Sequence, residues 1–415
     1  MRFQAPRGTE DVLPGQSERW QWLEAAFRRV CALYDFREIR TPTFEDTQLF
    51  HRVGEGSDVV SKEMYTFEDK GGRSMTLKAE GTAPAVRAYI EHSLGAPGQI
   101  TRLYYLTPIF RYDRPQKGRL REHHQAGVEL LGSTSPTADA EVIDLTTRFY
   151  AELGLGDLVV RLNSLGDGSS RARYTAALLE FARPVLVDLA PEYRERCERN
   201  PLRLLDSKDE AVQNALTDAP TIDGFIDDES RTHFESLQGA LTTLGIRFEI
   251  NPRLVRGLDY YNRTVFEVHS SALGAQSQLC GGGRYDGLVA ECGGASTPAV
   301  GMGLGIERAL LVLESMDKLP EPAAGPEVFA ICLTENRDAF MNVVAGLRRQ
   351  NISVQTDPDT RSAKSQFRQA DRVGASAALV IGDDELASGN ATLKWLSSGD
   401  EKKVPIANLA AVLRD

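Results

Sequence analysis

Residues 102–130 read RLYYLTPIFRYDRPQKGRLREHHQAGVEL, and this stretch decides the fold. Residues 102–111 are aromatic and β-branched, the composition of a strand, with Pro108 marking a bend or an edge because proline cannot donate to a sheet ladder. Residues 124–130 form a second strand-like run. Joined only by the loop 112–122, the two must be antiparallel. On 124–130 the strand period of two puts Gln125, Gly127 and Glu129 on one face and Ala126, Val128 and Leu130 on the other. The apolar face belongs to a core. The other face shows an amide and a carboxylate with a gap between them, and glycine inside a strand marks close approach of a ligand or a backbone. The connection is basic: residues 111–121 hold five cations and one acid, more than an ordinary solvated loop needs.

Outward from this unit, residues 17–34 carry Trp20, Leu23, Phe27, Val30, Cys31 and Tyr34 at helical spacing after Pro14-Gly15, which predicts a helix capped by Ser17. Residues 168–250 are rich in helix formers and charges and read as a mostly helical insertion. Strand-like and glycine-rich segments return over 253–305. Residues 318–326 (KLPEPAAGP) have the composition of a linker, with 321–327 separating a body at 1–320 from a final domain at 328–415. In that domain strand-like and helical segments alternate (328–333, 338–349, 352–355, 363–373, 377–381), which predicts a small α/β domain with a largely parallel sheet.

The whole chain has 415 residues, enough for two or three domains. Its net charge of −11 excludes a wholesale nucleic-acid coat and leaves room for a local basic patch. Cys31, Cys197, Cys280, Cys292 and Cys332 are scattered, so neither a structural zinc site nor a disulfide framework is expected. No apolar run is long enough for a membrane span. The first residues, MRFQAPRGTEDVLPG, lack a signal core, and a cytoplasmic protein without a membrane partner is expected.

Three further segments carry chemistry. Residues 254–267 (LVRGLDYYNRTVFE) group Arg256, Asp259, Tyr260 and Tyr261 around Gly257: a planar cationic fork for carboxylate or phosphate, beside rings with polar tips. In residues 299–310 (AVGMGLGIERAL), Gly301, Gly303 and Gly305 alternate, so one strand face has no side chains and a flat ring can lie on it, with Arg308 at its edge. Residues 76–87 (TLKAEGTAPAVR) offer Glu80 and Thr82 around Gly81, able to hold an ammonium, with Thr82 capping the following helix. Residues 280–288 (CGGGRYDGL) add another glycine-rich run. There is no Walker A sequence, so a nucleotide would bind outside the P-loop scheme.

Together these segments resemble the histidyl-tRNA synthetase family, a class II synthetase family. Residues 110–125 (FRYDRPQKGRLREHHQ) are similar to its motif 2, residues 301–310 to its motif 3, and LVRGLDYYNRTVFE and GGGRYDGL to its histidine-specific segments. The resemblance implies an α/β chain with an α+β catalytic core: a class II antiparallel sheet flanked by helices, the helical insertion, and a C-terminal α/β anticodon-binding domain. It implies ATP and Mg²⁺, L-histidine and tRNA(His), and a homodimer, for which the N-terminal segment and its long helix offer an interface.

The resemblance also implies roles. Arg111 and Arg256 grip the α-phosphate and are the catalytic pair. Arg119, Arg121, His123, Gly303, Gly305 and Arg308 complete the ATP site, with His123 standing where the family usually has Phe against adenine. Glu80, Gly81, Thr82 and Gln125 hold the α-amino group. Glu129, Tyr260 and Tyr261 surround the imidazole. Arg114, Gln116 and Lys117 face the tRNA. The alternative is a regulatory subunit of histidine biosynthesis built on the same core, which lacks the C-terminal domain and loses catalytic residues.

Overall fold

The computed structural model describes residues 3–54, 60, 62–96, 98–115, 119–187, 191–207, 209–270, 278–321 and 325–414. Contacts divide the chain into two units, Met1–Pro320 and Glu321–Asp415.

The strands described in the first unit are β1 (Arg37–Glu38), β2 (Phe44–Asp46), β3 (Thr66–Glu68), β4 (Ser74–Leu77), β5 (Thr101–Phe110), β6 (Glu122–Leu131), β7 (Leu158–Ser164), β8 (Phe248–Ile250), β9 (Asn262–Ser270), β10 (Gln278–Arg284) and β11 (Ala299–Gly305). Eight of them form one sheet in the order β1-β5-β6-β11-β10-β9-β7-β8, and β2-β4-β3 form a small second sheet. From β5 across to β7 every pair is antiparallel. The edge pairs β1–β5 and β7–β8 are parallel, so the sheet expected to be antiparallel is mixed at both edges. Each edge strand is separated from its partner by a long excursion of chain, the connection a parallel pair requires. Pro108 pairs with His124 on β6. The short β1 reaches only Leu103 and Tyr104, so the proline lies on a stretch of β5 with no sheet partner on its other side, where its missing N–H is tolerated.

The helices Ser17–Leu33, Pro136–Glu152 and Ile306–Ser315 cover one face of this sheet. Their Phe27, Val30, Ile143, Phe149, Ala309 and Leu313 meet Tyr104, Ala126, Val128, Leu130, Met302 and Leu304, so the apolar face read along β6 lies in the core, while the polar face, expected to be open, is covered as well, with Gly127 and Glu129 both buried. The first helix begins one residue earlier than a Ser17 cap would place it: Gln16 is the cap residue and caps through no side chain. The Ser17 N–H donates instead to Leu13 O at 2.9 Å, and Glu18 accepts from Gly15 N at 2.6 Å and from the Ser17 hydroxyl at 3.2 Å, tying the preceding turn to the helix start. On the other face, Ala83, Val86 and Tyr89 of the helix Thr82–Glu91 join Leu254, Tyr260 and Tyr261 against Leu103, Val265 and Ala299.

Between β7 and β8 the chain forms the helices Gly168–Leu186, Pro191–Arg199, Glu210–Ala215 and Asp228–Thr243. Tyr174, Leu178, Ala182, Leu204, Val212 and Ile222 give this insertion a core of its own. Asp167, Asp209 and Asp227 cap three of its helices through backbone N–H bonds of 2.7, 2.8 and 2.8 Å.

The second unit contains β12 (Val328–Cys332), β13 (Val354–Thr356), β14 (Ala377–Ile381), β15 (Asn390–Trp395) and β16 (Glu401–Pro405) in the order β13-β12-β14-β15-β16. The first three are parallel, as the βαβ alternation requires. The last two are antiparallel additions, which corrects the largely parallel sheet expected from sequence. The reason is the short link from β14 to β15. The helix Asp383–Ser388 ends at Gly389, whose φ of +69° reverses the chain at once, too soon for a crossover. The helices Arg337–Arg349 and Ala363–Arg372 pack on opposite faces, through Val344 and Leu347 on one and Ala370 on the other.

Candidate active site

The face of the large sheet away from its three covering helices is organised in rows. Tyr105 on β5, Gly127 on β6, Gly303 on β11, Gly281 on β10 and Glu267 on β9 stand in register. The next row runs Leu103, Glu129, Gly301, Gly283 and Val265. Neighbouring side chains lie over these glycines. A Cβ on Gly127 would come 2.5 Å from the Tyr105 hydroxyl, one on Gly301 1.9 Å from Glu129 Oε2, one on Gly303 2.1 Å from Gln125 Nε2, and one on Gly281 2.4 Å from the centre of the Arg256 guanidinium. The expectation of a bare strand at 301–305 is therefore corrected. Gly301 and Gly303 lie under Glu129 and Gln125, because β6 side chains lean sideways into space the glycines leave. Gly305 remains open, with Arg308 Cβ the nearest atom to a Cβ there at 3.8 Å.

Glu129 is the polar centre of this face, only 1% exposed. Tyr105 donates to its Oε1 at 2.9 Å and Tyr285 donates to its Oε2. Burial pushes its carboxyl up to about 8, against the pull of Tyr285, Thr82 and Tyr105, which favour the charged form. Tyr260 stacks obliquely on Tyr261 at 4.7 Å between centroids and meets Tyr285 edge-on at 5.6 Å. A buried carboxylate walled by phenols suits a small ring with N–H groups.

Beside it, Glu80 caps the helix Thr82–Glu91: Oε2 accepts from Thr82 N at 2.7 Å and Oε1 from Ala83 N at 2.6 Å. The cap expected at Thr82 thus belongs to Glu80, and Thr82 is the first helical residue. Burial raises the Glu80 carboxyl, while these backbone bonds and the charge of Arg111 oppose the rise. Gln125 accepts from Gly81 N at 3.1 Å, so the Glu80 turn and β6 are tied together.

The cations stand around this centre. Arg111 Nε donates to Ala79 O at 2.7 Å, next to Glu80. Arg256 donates to Glu267 Oε1 at 2.5 Å. Glu267 also accepts from Gln278 at 2.8 Å and lies 3.0 Å from His269 Nε2. Arg256 Nε is buried with no hydrogen-bond partner among the described residues, a donor that a ligand oxygen can take. His123 shares the face of Gln125 and Glu129 and stands opposite Ile109. Burial, then the charges of Arg111, His124 and Arg119, pull its ring down to about 3, so it is neutral at physiological pH and able to stack. His124 points the other way, to Glu307 Oε1 at 3.0 Å and the Trp20 ring at 4.9 Å.

Two family models match the chain: one described as Histidyl-tRNA synthetase over residues 8–309, the other as Anticodon binding domain over 327–415. The chain belongs to the histidyl-tRNA synthetase family. Among its curated relatives, the Histidine–tRNA ligase of Caldanaerobacter subterraneus subsp. tengcongensis is 47% identical over 100% of both chains. That of Synechocystis sp. is 48% identical over 98% of this chain and 91% of its own. The crystal structure of apo S. aureus histidyl-tRNA synthetase aligns over 100% of each chain with a TM-score of 0.83 and 37% identity.

Of the residues expected for a histidyl-tRNA synthetase site, Glu80, Gly81, Thr82, Gln125, Glu129, Tyr260 and Tyr261 converge on the one face, with Arg111, His123 and Arg256 around them. Arg119 and Arg121 are engaged within their own loop: Arg119 is 3.2 Å from Asp113, and the Arg121 guanidinium lies 3.9 Å over the Tyr112 ring. Arg308 is half-buried in the first turn of the helix Ile306–Ser315. Arg114 is exposed, while Gln116 and Lys117 lie outside the described residues.

Sequence reasoning gave no role to Tyr105 or Tyr285, the two donors to Glu129. It also passed over Arg284 and Asp139, both fully buried, which meet at 2.5 Å and fasten β10 to the helix Pro136–Glu152. A cavity of about 540 Å³ lies on the helix-covered side, against Thr9, Arg19, Trp20, His124, Glu307 and Leu310. None of the groups around Glu129 lines it; the glycine rows mark where they stand.

Proposed function

We propose that the chain charges tRNA(His) with histidine in two steps, and that the phenol-held Glu129 is the observation that carries this reading. A histidine imidazole enters the Tyr260–Tyr261–Tyr285 enclosure and donates an N–H to Glu129. Glu80, Thr82 and Gln125 receive the α-ammonium. The carboxylate then faces Arg111 and Arg256. A histidine carboxylate oxygen attacks the α-phosphorus of ATP, the bond to the bridging oxygen breaks, and pyrophosphate leaves. The two guanidiniums neutralise charge gathering on the α-phosphate, which is electrostatic catalysis by prepositioned cations. Arg308 takes the γ-phosphate, and His123 stacks on adenine near the open surface at Gly305. Arg119 and Arg121 complete the phosphate grip after leaving Asp113 and Tyr112.

Mg²⁺ comes with the nucleotide. Such ions need one or two carboxylates beside phosphate and water oxygens, and no group of three or more His, Cys, Asp or Glu suited to a metal occurs among the described residues. In the second step the terminal ribose hydroxyl of the tRNA attacks the adenylate carbonyl and AMP leaves. Arg114, Gln116 and Lys117 meet the acceptor end, and residues 328–415 the anticodon side. We place this activity in the cytoplasm and in a homodimer. The apolar face of the helix Ser17–Leu33 is spent on the chain's own sheet, so self-association would use other surfaces of the N-terminal region, such as the exposed Phe44 and Phe67; sedimentation tests this.

A pocket built on hydrogen bonds rejects analogues lacking the bonded group by about 10⁴–10⁵. The test is ATP–pyrophosphate exchange with each amino acid in turn. Exchange with histidine alone is expected. Histidine binding without exchange would favour the regulatory alternative, against which stand the retained arginines and the match over 327–415.

A further inference from the structure

The segment bearing Arg256, Tyr260 and Tyr261 has little regular structure of its own, yet three of its carbonyls receive side-chain donors from the helical insertion. Arg171 Nη1 donates to Asp259 O at 2.5 Å and to Tyr261 O at 3.1 Å. Arg203 donates to Gly257 O at 2.6 Å. Asn200 donates to the Asp259 carboxylate at 2.7 Å, and Arg171 Nη2 stands 3.9 Å from the same carboxylate. The donors come from two separated stretches of the insertion. Arg171 is in the first turn of the helix Gly168–Leu186, which Asp167 caps. Asn200 and Arg203 belong to the turn around Pro201–Leu204, whose Leu202 and Leu204 are buried in the insertion's own core.

We propose, resting on the histidine-activating reading above, that Arg171 is a positioning residue for the amino-acid pocket and couples histidine occupancy to the insertion. A guanidinium that bonds carbonyls two residues apart fixes the peptide planes before Tyr260 and after Tyr261, and hence the directions in which the two tyrosines leave the backbone. Arg203 does the same for the peptide between Gly257 and Leu258, one residue beyond Arg256. Loop carbonyls need partners, and here they find them on a body with a separate core. Any shift of that body moves the tyrosines, and by linkage a ligand that orders the tyrosines must order the insertion. The contacts are to backbone, so a lysine, which offers a point charge rather than a fork, replaces them only in part.

The experiment measures histidine-dependent pyrophosphate exchange for the full chain and for Arg171→Ala, Arg171→Lys and Arg203→Ala, together with amide hydrogen exchange over residues 168–175 with and without histidine. Arg171→Ala is expected to raise KM for histidine roughly tenfold or more while KM for ATP stays within about twofold, with Arg171→Lys between it and the parent. Histidine should slow amide exchange at 168–175 in the parent and not in Arg171→Ala. Arg203 is no part of the insertion's apolar core, so Arg203→Ala repeats the KM test should Arg171→Ala fail to fold. An unchanged KM for histidine, an equal rise for both substrates, or no histidine effect at 168–175 in the parent overturns the coupling. If the parent shows no histidine-dependent pyrophosphate exchange, the functional reading itself falls.

Discussion

Oε2 of Glu129 occupies the space where residue 301 would carry a β-carbon: a methyl group on Gly301 would lie 1.9 Å from it and 2.6 Å from the Val128 carbonyl. Gly301→Ala must therefore push the carboxylate off its phenols. Overpacking of this kind costs roughly 1–3 kcal/mol. The variant should melt several degrees lower and lose histidine-dependent exchange about 100-fold. Gly305→Ala, with no atom nearer than 3.8 Å to the new methyl, should melt like the parent. Thermal scans beside exchange assays check the pair, and a Gly301→Ala enzyme with parental KM for histidine would sink the placement of Glu129.

Tyr285→Phe removes one of the two phenol bonds to Glu129 without changing the ring. A hydrogen bond to a neutral carboxyl contributes about 0.5–1.5 kcal/mol, so histidine affinity should fall roughly 2- to 10-fold, with KM for ATP unaltered. Calorimetric titration with histidine measures this directly.

The raised Glu129 carboxyl makes a pH prediction with a definite sign. Between its ordinary value of 4.5 and about 8, the folded chain holds a proton there that the unfolded chain has released. Stability contributed at this position therefore falls as pH rises through that window, and the loss is complete above about 8. Glu129→Gln cannot ionise and lacks this slope. Relative to the parent, the variant should gain in urea-unfolding free energy from pH 5.5 to 8.5, while losing histidine binding throughout. A difference that stays flat with pH would show that Glu129 is ionised in the folded chain across the range.

Arg256→Ala should lower adenylate formation about 10²–10³-fold, the effect typical of removing one donor to a developing charge. Arg256→Lys should recover little, because the fork over Gly281 is lost. Glu267 keeps His269 and Gln278 as neighbours, so the fold should survive, which circular dichroism checks. Near-parental single-turnover adenylation in Arg256→Ala would remove it from the reaction.

Gln116→Ala should slow transfer to tRNA more than adenylate formation, since the loop it belongs to is basic and joins β5 to β6. Equal losses in pyrophosphate exchange and in aminoacylation would contradict a tRNA-facing loop.

What the sequence made legible was periodic or local. Alternation along β6 separated its apolar from its polar face because two-residue periodicity needs no knowledge of partners, but it did not show that the polar face is covered, with Glu129 1% exposed. The segment around Arg256 declared itself by composition. What stayed hidden depends on pairing. Tyr105 reads as one more aromatic in a strand until register puts it beside Gly127, and Tyr285 looks like part of a turn until its hydroxyl meets a carboxylate 156 residues away in sequence. The Arg284–Asp139 pair, 145 residues apart, gives no local signal at all. Nor does the covering of Gly301 and Gly303, since a strand can be seen to lack side chains while what leans over it cannot. In the second unit, β15 and β16 went unread because their partners are set by a reversal at Gly389 rather than by a βαβ rhythm.

The glycines that stand side by side on β6, β11 and β10 have a consequence for how such a site can change over time. Its reactive groups rest in hollows on adjoining strands, so each depends on a residue whose contribution is to be missing. A one-carbon addition at a hollow displaces a functional group that is itself untouched. Evolution toward a different amino acid would have to alter recess and occupant together, a paired step that single substitutions reach only through an inactive intermediate. The resistance of this pocket to drift is written as much in its vacancies as in its carboxylates and arginines.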